Sequence, residues 1–248
     1  MEIKGCAIGF VDVPQEYTQD FNRWYDFDHI PENLALPEIV AAKRYVATPD
    51  CQALRPGSEY PALKDGAGAY FTIYYFGTGD MAQAQKSWGA LGQEMREAKR
   101  MFRYGRVPYA GVYRMEFLKG RGDIPVRPSA IPYVAHQGVL VVFAQVPDPA
   151  QRDEVNEWYR DVHAVDLLEV PGIAATMRYH RHESPDEGHY MNLYLLDGDP
   201  VGVVQEIGRR RPEWERSGRM PLVGTASFPY YQSAYRAIAP LEYDFRVE

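Results

Sequence analysis

Cysteine is scarce in this chain: only Cys6 and Cys51 occur among 248 residues. Two cysteines do not make a disulfide framework, so they read as free thiols. No apolar run approaches the roughly 20 residues that span a bilayer, which excludes a membrane-embedded helix. The opening Met1-Glu2-Ile3-Lys4-Gly5 leads straight into an apolar strand pattern, without the basic and then apolar regions of a signal peptide, and a cytoplasmic location is expected. Positive charge is also short, with 27 Lys and Arg against 34 Asp and Glu and a formal net charge of -7. That balance disfavours a phosphate-backbone binder, so neither nucleic acid nor membrane is an expected partner. Arg209-Arg210-Arg211 reads as a solvated helix face, and Arg121-Gly122-Asp123 as a turn in a Gly/Pro-rich connector. A phosphate-cradling glycine loop, a nucleophile elbow and a Cys-x-x-Cys pair are all missing, leaving ATP, dinucleotides and covalent serine catalysis without support.

What the chain has in quantity is tyrosine, 19 in all. A large apolar ring carrying a hydroxyl suits the wall of a pocket for a mixed aromatic and polar ligand.

The dominant pattern is an internal repeat. Residues 22–45 align without a gap on residues 156–179, with 10 of 24 identical, among them Asn22/Asn156, Trp24/Trp158, Tyr25/Tyr159, His29/His163, Arg44/Arg178 and Tyr45/Tyr179. An apolar strand ending in Val-Pro precedes each copy, at Val13-Pro14 and Val146-Pro147, where proline suits a strand exit. Second strands follow at 41–48 and 175–182, and third strands at 70–76 and 190–196, where the offset falls from 134 to 120. The 14 extra residues of the first copy fall in the Pro/Gly-rich stretch 49–68. Second helices are expected over about 81–101 and 200–211, and fourth strands from 107 and 228.

Each copy therefore reads β-α-β-β-α-β, an α+β unit of the ferredoxin-like type with both helices on one face of its sheet. Residues 1–117 and 137–248 form the two repeats and 118–136 the linker. The bare faces of two such sheets bury each other, so one chain can complete a dimeric α/β barrel around a pocket, with a further homodimer possible. The aromatic pair, the histidine four residues after the tyrosine, the downstream proline and the Arg-Tyr strand resemble the EthD-like branch of the dimeric α/β-barrel superfamily. That resemblance covers both halves and implies the fold. The superfamily holds cofactor-free isomerases, cyclases, monooxygenases and decarboxylases as well as haem proteins, so it does not select a reaction.

Helical 100° steps put Phe21, Trp24, Tyr25 and Asp28 on one face with His29 at its margin. Repeated aromatics suit core anchors, and a histidine at a helix end suits a C-terminal cap as well as an acid or base. The copies differ: Asp28, Glu32 and Asn33 surround His29, where Val162, Asp166 and Leu167 surround His163. This polarity favours the first half as the active pocket, with His29 as general acid/base and Asp28 or Glu32 orienting it. Trp24, Tyr25, Asn33, Arg44, Tyr45, Arg178 and Tyr179 are candidate substrate contacts, Arg44 and nearby tyrosines holding a developing oxyanion. Which of Arg44 and Tyr45 faces the barrel is open, because strand side chains alternate. His180, His182 and His189 offer metal-ligand types, but the intervening Ser184-Pro185-Asp186-Glu187-Gly188 reads as an exposed turn and no metal is assigned.

The expected activity is cofactor-independent acid/base catalysis on a small aromatic or polyketide-like metabolite, of isomerase, cyclase or lyase/decarboxylase type. Two alternatives stand beside it. One is a haem protein of chlorite-dismutase-like architecture with a second-half histidine such as His163 as axial ligand; the other is a non-catalytic ligand-binding barrel.

Overall fold

A computed structural model of the chain describes residues 2–58, 60–182 and 187–247. The first half contributes strands β1 (Gly5–Asp12), β2 (Ile39–Val46), β3 (Tyr70–Phe76) and β4 (Arg106–Gly120), and the second β5 (Gly138–Gln145), β6 (Ile173–Arg181), β7 (His189–Leu196) and β8 (Phe228–Ala237). All eight close into one antiparallel barrel in the order β1-β3-β2-β8-β5-β7-β6-β4. Each half thus keeps the 4-1-3-2 order of a ferredoxin-like unit, and the intrachain α/β barrel expected from the repeat is the fold. The two seams are unequal. β2 meets β8 through only Tyr45↔Ala237 and Val46↔Arg236, whereas β4 follows β6 from Tyr113↔Arg181 to Gly120↔Ala175. That long ladder draws residues 118–120 of the expected linker into β4.

Helices lie on the outer face: α1 (Thr18–Trp24), α2 (Ile30–Leu34), α3 (Pro49–Gln52) and α4 (Met81–Glu97) in the first half, then α5 (Arg152–Trp158), α6 (Ala164–Leu168) and α7 (Pro200–Arg216). Asp80 and Asp199 cap α4 and α7 by accepting the amides of Gln83 and Gly202, which fixes the equivalence of these helices at an offset of 119. Gly5 and Gly138 are equivalent too. A side chain at either would collide with the neighbouring strand's carbonyl and with Met81 or Pro200, so only glycine lets the helix start this close to the sheet. Helix α7 runs past the expected stop at Arg211, through Pro212, because Trp214 is buried beyond it. Helix α4 stops at Glu97, before the expected Met101, where Lys99 turns left-handed (φ 58°) and the Arg100 amide returns to the Met95 carbonyl.

The barrel interior is a packed aromatic core and not the expected ligand cavity. Phe10, Phe71, Tyr75, Tyr113, Phe143, Tyr179 and Tyr235 are all at most 1% exposed. Phe10 alone touches the rings of Phe71, Tyr109, Phe143, Tyr231 and Tyr235. The insertion at 49–68 plugs one end. Arg55 donates to Ser233 Oγ at 2.7 Å and Tyr60 packs its ring on Tyr109 and Tyr230. It stops the barrel and does not wall the cavity described below.

Candidate active site

The Trp-Tyr-x-x-x-His segments occupy the same unusual backbone in both halves: α1 and α5 each run into one wide π turn, Tyr25–His29 and Tyr159–His163, before continuing as α2 and α6. Such a turn carries more residues than an α-helical one, so residues five apart come together and the regular 100° wheel fails. His29 therefore stacks on Trp24 at 4.5 Å and meets Tyr25 edge-on at 5.0 Å; His163 stacks on Trp158 and meets Tyr159 in the same way, both at 5.0 Å. The π turn rotates histidine inward and Asp28 outward, reversing the expected order. Asp28 and Glu32 then bind Arg100, at 3.0 and 2.6 Å, and not the imidazole.

Trp24 lies behind His29, its indole donating to the Arg100 carbonyl at 2.7 Å. The second half repeats this fastening. Trp158 donates to the Arg219 carbonyl at 3.0 Å, and the Arg219 guanidinium grips Asp166, the residue aligned with Glu32. Trp24, Asp28 and Glu32 thus tie the helix to the loop after α4.

The strand ambiguity resolves the same way in both halves. Tyr45 and Tyr179 point into the packed barrel, Tyr45 bonding His136 at 2.8 Å, while Arg44 and Arg178 face the helices. Arg44 is not free to hold an oxyanion, and Arg178, although its Nη2 lacks a hydrogen-bond partner, is fully buried and does not line the second-half cavity. Arg44 is buried, paired with Asp26 at 2.9 Å, bonded to the Asn22 side chain and packed 4.3 Å from the centre of the Tyr25 ring. Arg178 has no aligned carboxylate, because Arg160 stands where Asp26 does. It bonds Asn156 and Asn192, both at 2.8 Å, and lies between the Tyr159 and Tyr190 rings at 4.0 Å from each.

Between the helices and the outer sheet face of the first half lies a cavity of about 340 Å³. Its floor is Gly9 of β1, Ala110 of β4 and Tyr74 of β3; Tyr25, His29 and Asn33 form one wall, and Trp88, Gly89, Gly92, Met95 and Arg96 of α4 the other. The second half has the same cavity shrunk to about 110 Å³, lined by Val142, Tyr159, His163, Leu167, Tyr194, Ile207, Arg211 and Trp214. By the offsets above, these replace Gly9, Tyr25, His29, Asn33, Tyr74, Trp88, Gly92 and Met95 in that order. The difference is volume added at Val142, Arg211 and Trp214. A side chain built on Gly9 would meet nothing within 4 Å.

Asn33 bonds the His29 carbonyl at 2.7 Å and accepts from Trp88 Nε1 at 3.0 Å, bracing both walls. His29 Nδ1 is buried without a hydrogen-bond partner, and the Tyr74 hydroxyl, also buried, interacts with that of Tyr25 without a well-formed bond. Burial, opposed by the Asp28 charge and reinforced by Arg44, pushes His29 down to about 4, so the ring is neutral near pH 7. Burial also raises Tyr25 and Tyr74, and the proximity of Tyr25 raises Tyr74 further, keeping both hydroxyls protonated. A neutral imidazole and phenolic O–H donors facing an apolar cavity can accept a proton and hydrogen-bond the oxygen on which negative charge develops. His163 is likewise pushed down to about 4 by burial, with Nδ1 unpartnered, but has little space before it.

Sequence reading missed Tyr74, Trp88 and Gly9. The signal for Tyr74 was present, since Tyr74 and Tyr194 recur at the same step of the third strand; Gly9 against Val142 was the visible mark of the open cavity.

The three later histidines do not converge. His180 stacks on Tyr190 on the outer face, while His189 is on the other parity of the hairpin and bonds Glu187 and Tyr230. Residues 184–186 of the expected turn lie outside the described residues, and among the described residues no group of three His, Cys, Asp or Glu is placed to hold a metal. The His163 cavity, at about 110 Å³, is well below the roughly 300–1,000 Å³ of ordinary ligand pockets, so the residues around His163 do not fit a haem there.

No family model and no curated protein matches this chain. Solved structures do. A dye-decolorizing peroxidase of Bacteroides thetaiotaomicron superposes with a TM-score of 0.59 at 8% identity, covering 96% of this chain and 94% of that one. A monooxygenase candidate from Fusobacterium nucleatum gives 0.56 at 6% identity over 99% and 97%, and an anthrone oxidase-like protein 0.51 at 13% over 95% and 92%. At such identities the likeness is one of fold, the ferredoxin-like α/β barrel. Among the described residues no helix is long and apolar enough to cross a membrane.

Proposed function

We propose that the first-half cavity is the active site of a cofactor-independent enzyme that moves a proton on a small aromatic or polyketide-like ketone or phenol. The observation that carries the reading is a neutral histidine whose buried Nδ1 has no hydrogen-bond partner, standing beside Tyr74 in the wall of a cavity that is open at Gly9 and narrowed in the other repeat by Val142, Arg211 and Trp214. Buried polar groups normally have partners, and a bound substrate oxygen or acidic proton supplies them. His29, neutral at working pH, takes the proton from carbon or oxygen; Tyr74, with Tyr25 beside it, donates to the developing enolate or phenolate oxygen. Asn33 and Trp24 are positioning residues that fix the imidazole. Isomerisation, cyclisation and lyase or decarboxylase chemistry all share this step. Kinship with the EthD-like branch, resting on the Trp-Tyr-x-x-x-His motif, is part of the same proposal, as is the relation to the monooxygenase-named structures, for an electron-rich carbanion is also what molecular oxygen attacks.

The test is deuterium incorporation next to the carbonyl of aromatic ketones such as anthrone and tetralone, followed by NMR in heavy water with oxygen uptake recorded in parallel. Exchange should depend on the protein, and His29→Gln should slow it by about 10²- to 10⁴-fold. Ligand binding without exchange or turnover in the wild type would replace this reading with that of a binding protein.

A further inference from the structure

At the mouth of the cavity stands an arginine that pairs with no carboxylate among the described residues. Arg96, on the last turn of α4, is held through Nε and Nη2 only by the neutral Gln93 side chain, at 3.3 and 3.1 Å. Gln93 in turn takes the nearby Glu97 carboxylate at 2.7 Å. A cation at a helix C-terminus is ordinary in itself. The other helix shows the contrast: Arg209 and Arg210 share Glu206, and Arg211 pairs with Glu215 at 2.7 Å. Glu215 occupies the position equivalent to Arg96, and Arg211 that of Gly92. The small cavity is thus self-neutralised at its rim. The large one has no acidic residue in its lining and an arginine without a carboxylate among the described residues.

The space in front of Arg96 is also provided for. Its Nη1 stands 3.7 Å from where a Gly92 side chain would begin, and Gly9 and Gly89 leave bare backbone on facing walls. A flat ring can lie between the sheet at Gly9 and Ala110 and the helix at Gly89 and Gly92, its edge reaching the rim.

Resting on the reading of this cavity as the ligand site, we propose that its substrate is a planar aromatic acid: the ring system fills the Gly9–Gly92 slot, the reacting oxygen meets Tyr74 and His29, and a carboxylate at the other end is bound by Arg96. The guanidinium fork suits a carboxylate, and the neutral partner Gln93 sets its plane without competing for its charge.

Binding of naphthoate and of its neutral isostere naphthamide to the intact protein, followed by calorimetry at low salt, tests this without any need for turnover. Naphthoate should bind about two- to fivefold more tightly than naphthamide, Arg96→Gln should remove that preference by weakening the acid alone, and added salt should do the same. Gly9→Val should weaken both probes. Equal binding of the two probes to the wild type, or a preference that survives Arg96→Gln, overturns the proposal while leaving the His29 reading intact. Binding of both probes that ignores Gly9→Val, or no binding of either, removes the cavity as the ligand site and overturns both.

Discussion

The two repeats fold one template twice and spend it differently. Both have the π turn, the histidine stacked on tryptophan, the indole bonded to an arginine carbonyl and the arginine on the second strand. In the first, glycines at the sheet and helix surfaces leave about 340 Å³ before the histidine; in the second, valine, arginine and tryptophan reduce that to about 110 Å³. The shared features are therefore those the architecture needs, and the unshared ones point to the chemistry.

The comparison breaks most visibly in turnover. His29→Gln is expected to lose about 10²- to 10⁴-fold and His163→Gln to stay in the wild-type range, measured on whichever substrate shows exchange. Loss confined to His163→Gln would move the site to the second half.

Next in size is the contrast between the two buried arginines. Arg44→Leu strands the Asp26 carboxylate and should cost about 3–5 kcal/mol, whereas Arg178→Leu leaves only the neutral Asn156 and Asn192 and should cost about 1–3 kcal/mol by denaturant titration. Equal costs would show that Asp26 is satisfied without Arg44, through its bonds from the Tyr243 hydroxyl and the Leu241 amide.

Acid should affect both halves alike. Each histidine is near 6.5 unfolded and about 4 folded, so the unfolded chain binds more protons below pH 6.5. Stability is intact above that pH and falls by roughly 3 kcal/mol per histidine by about pH 4. Replacing His29 and His163 with glutamine should flatten that part of the stability–pH curve. If neutral His29 is the base, as proposed, the rate per unit free enzyme should hold down to about pH 5.

Exchanging the cavity residues sharpens the comparison further. Gly9→Val should weaken ligand binding with little change in melting temperature, since its side chain enters open space, while Val142→Gly should cost about 1–2 kcal/mol and enlarge the second cavity. The smallest effect concerns the stop of α4. Lys99 holds the left-handed position that Gly218 holds in the second repeat, so Lys99→Gly should stabilise by about 1 kcal/mol or less, seen as a rise in Tm.

The sequence by itself determined the duplication, the βαββαβ order, the barrel, and the pairing of Trp24, Tyr25 and His29 with Trp158, Tyr159 and His163, because offsets and strand periodicity are properties of one dimension. It also carried an asymmetry between the halves, although in other residues: Asp28 and Glu32 differ visibly from their counterparts, yet they bind Arg100, while the cavities differ in volume through Gly9, Gly92 and Met95 against Val142, Arg211 and Trp214. Tertiary structure alone decided three things. The π turn reset which side of the first helix faces inward, since its wider turn depends on packing against the sheet and not on a regular period. Strand parity sent Arg44 outward and Tyr45 into the barrel, because only barrel closure fixes which face is inside. And the cavity lies outside the barrel, because buried aromatic rings such as Phe10, Phe71, Tyr113 and Phe143 pack the interior, while small residues on two separate elements, β1 and α4, leave a gap that appears only when the two meet.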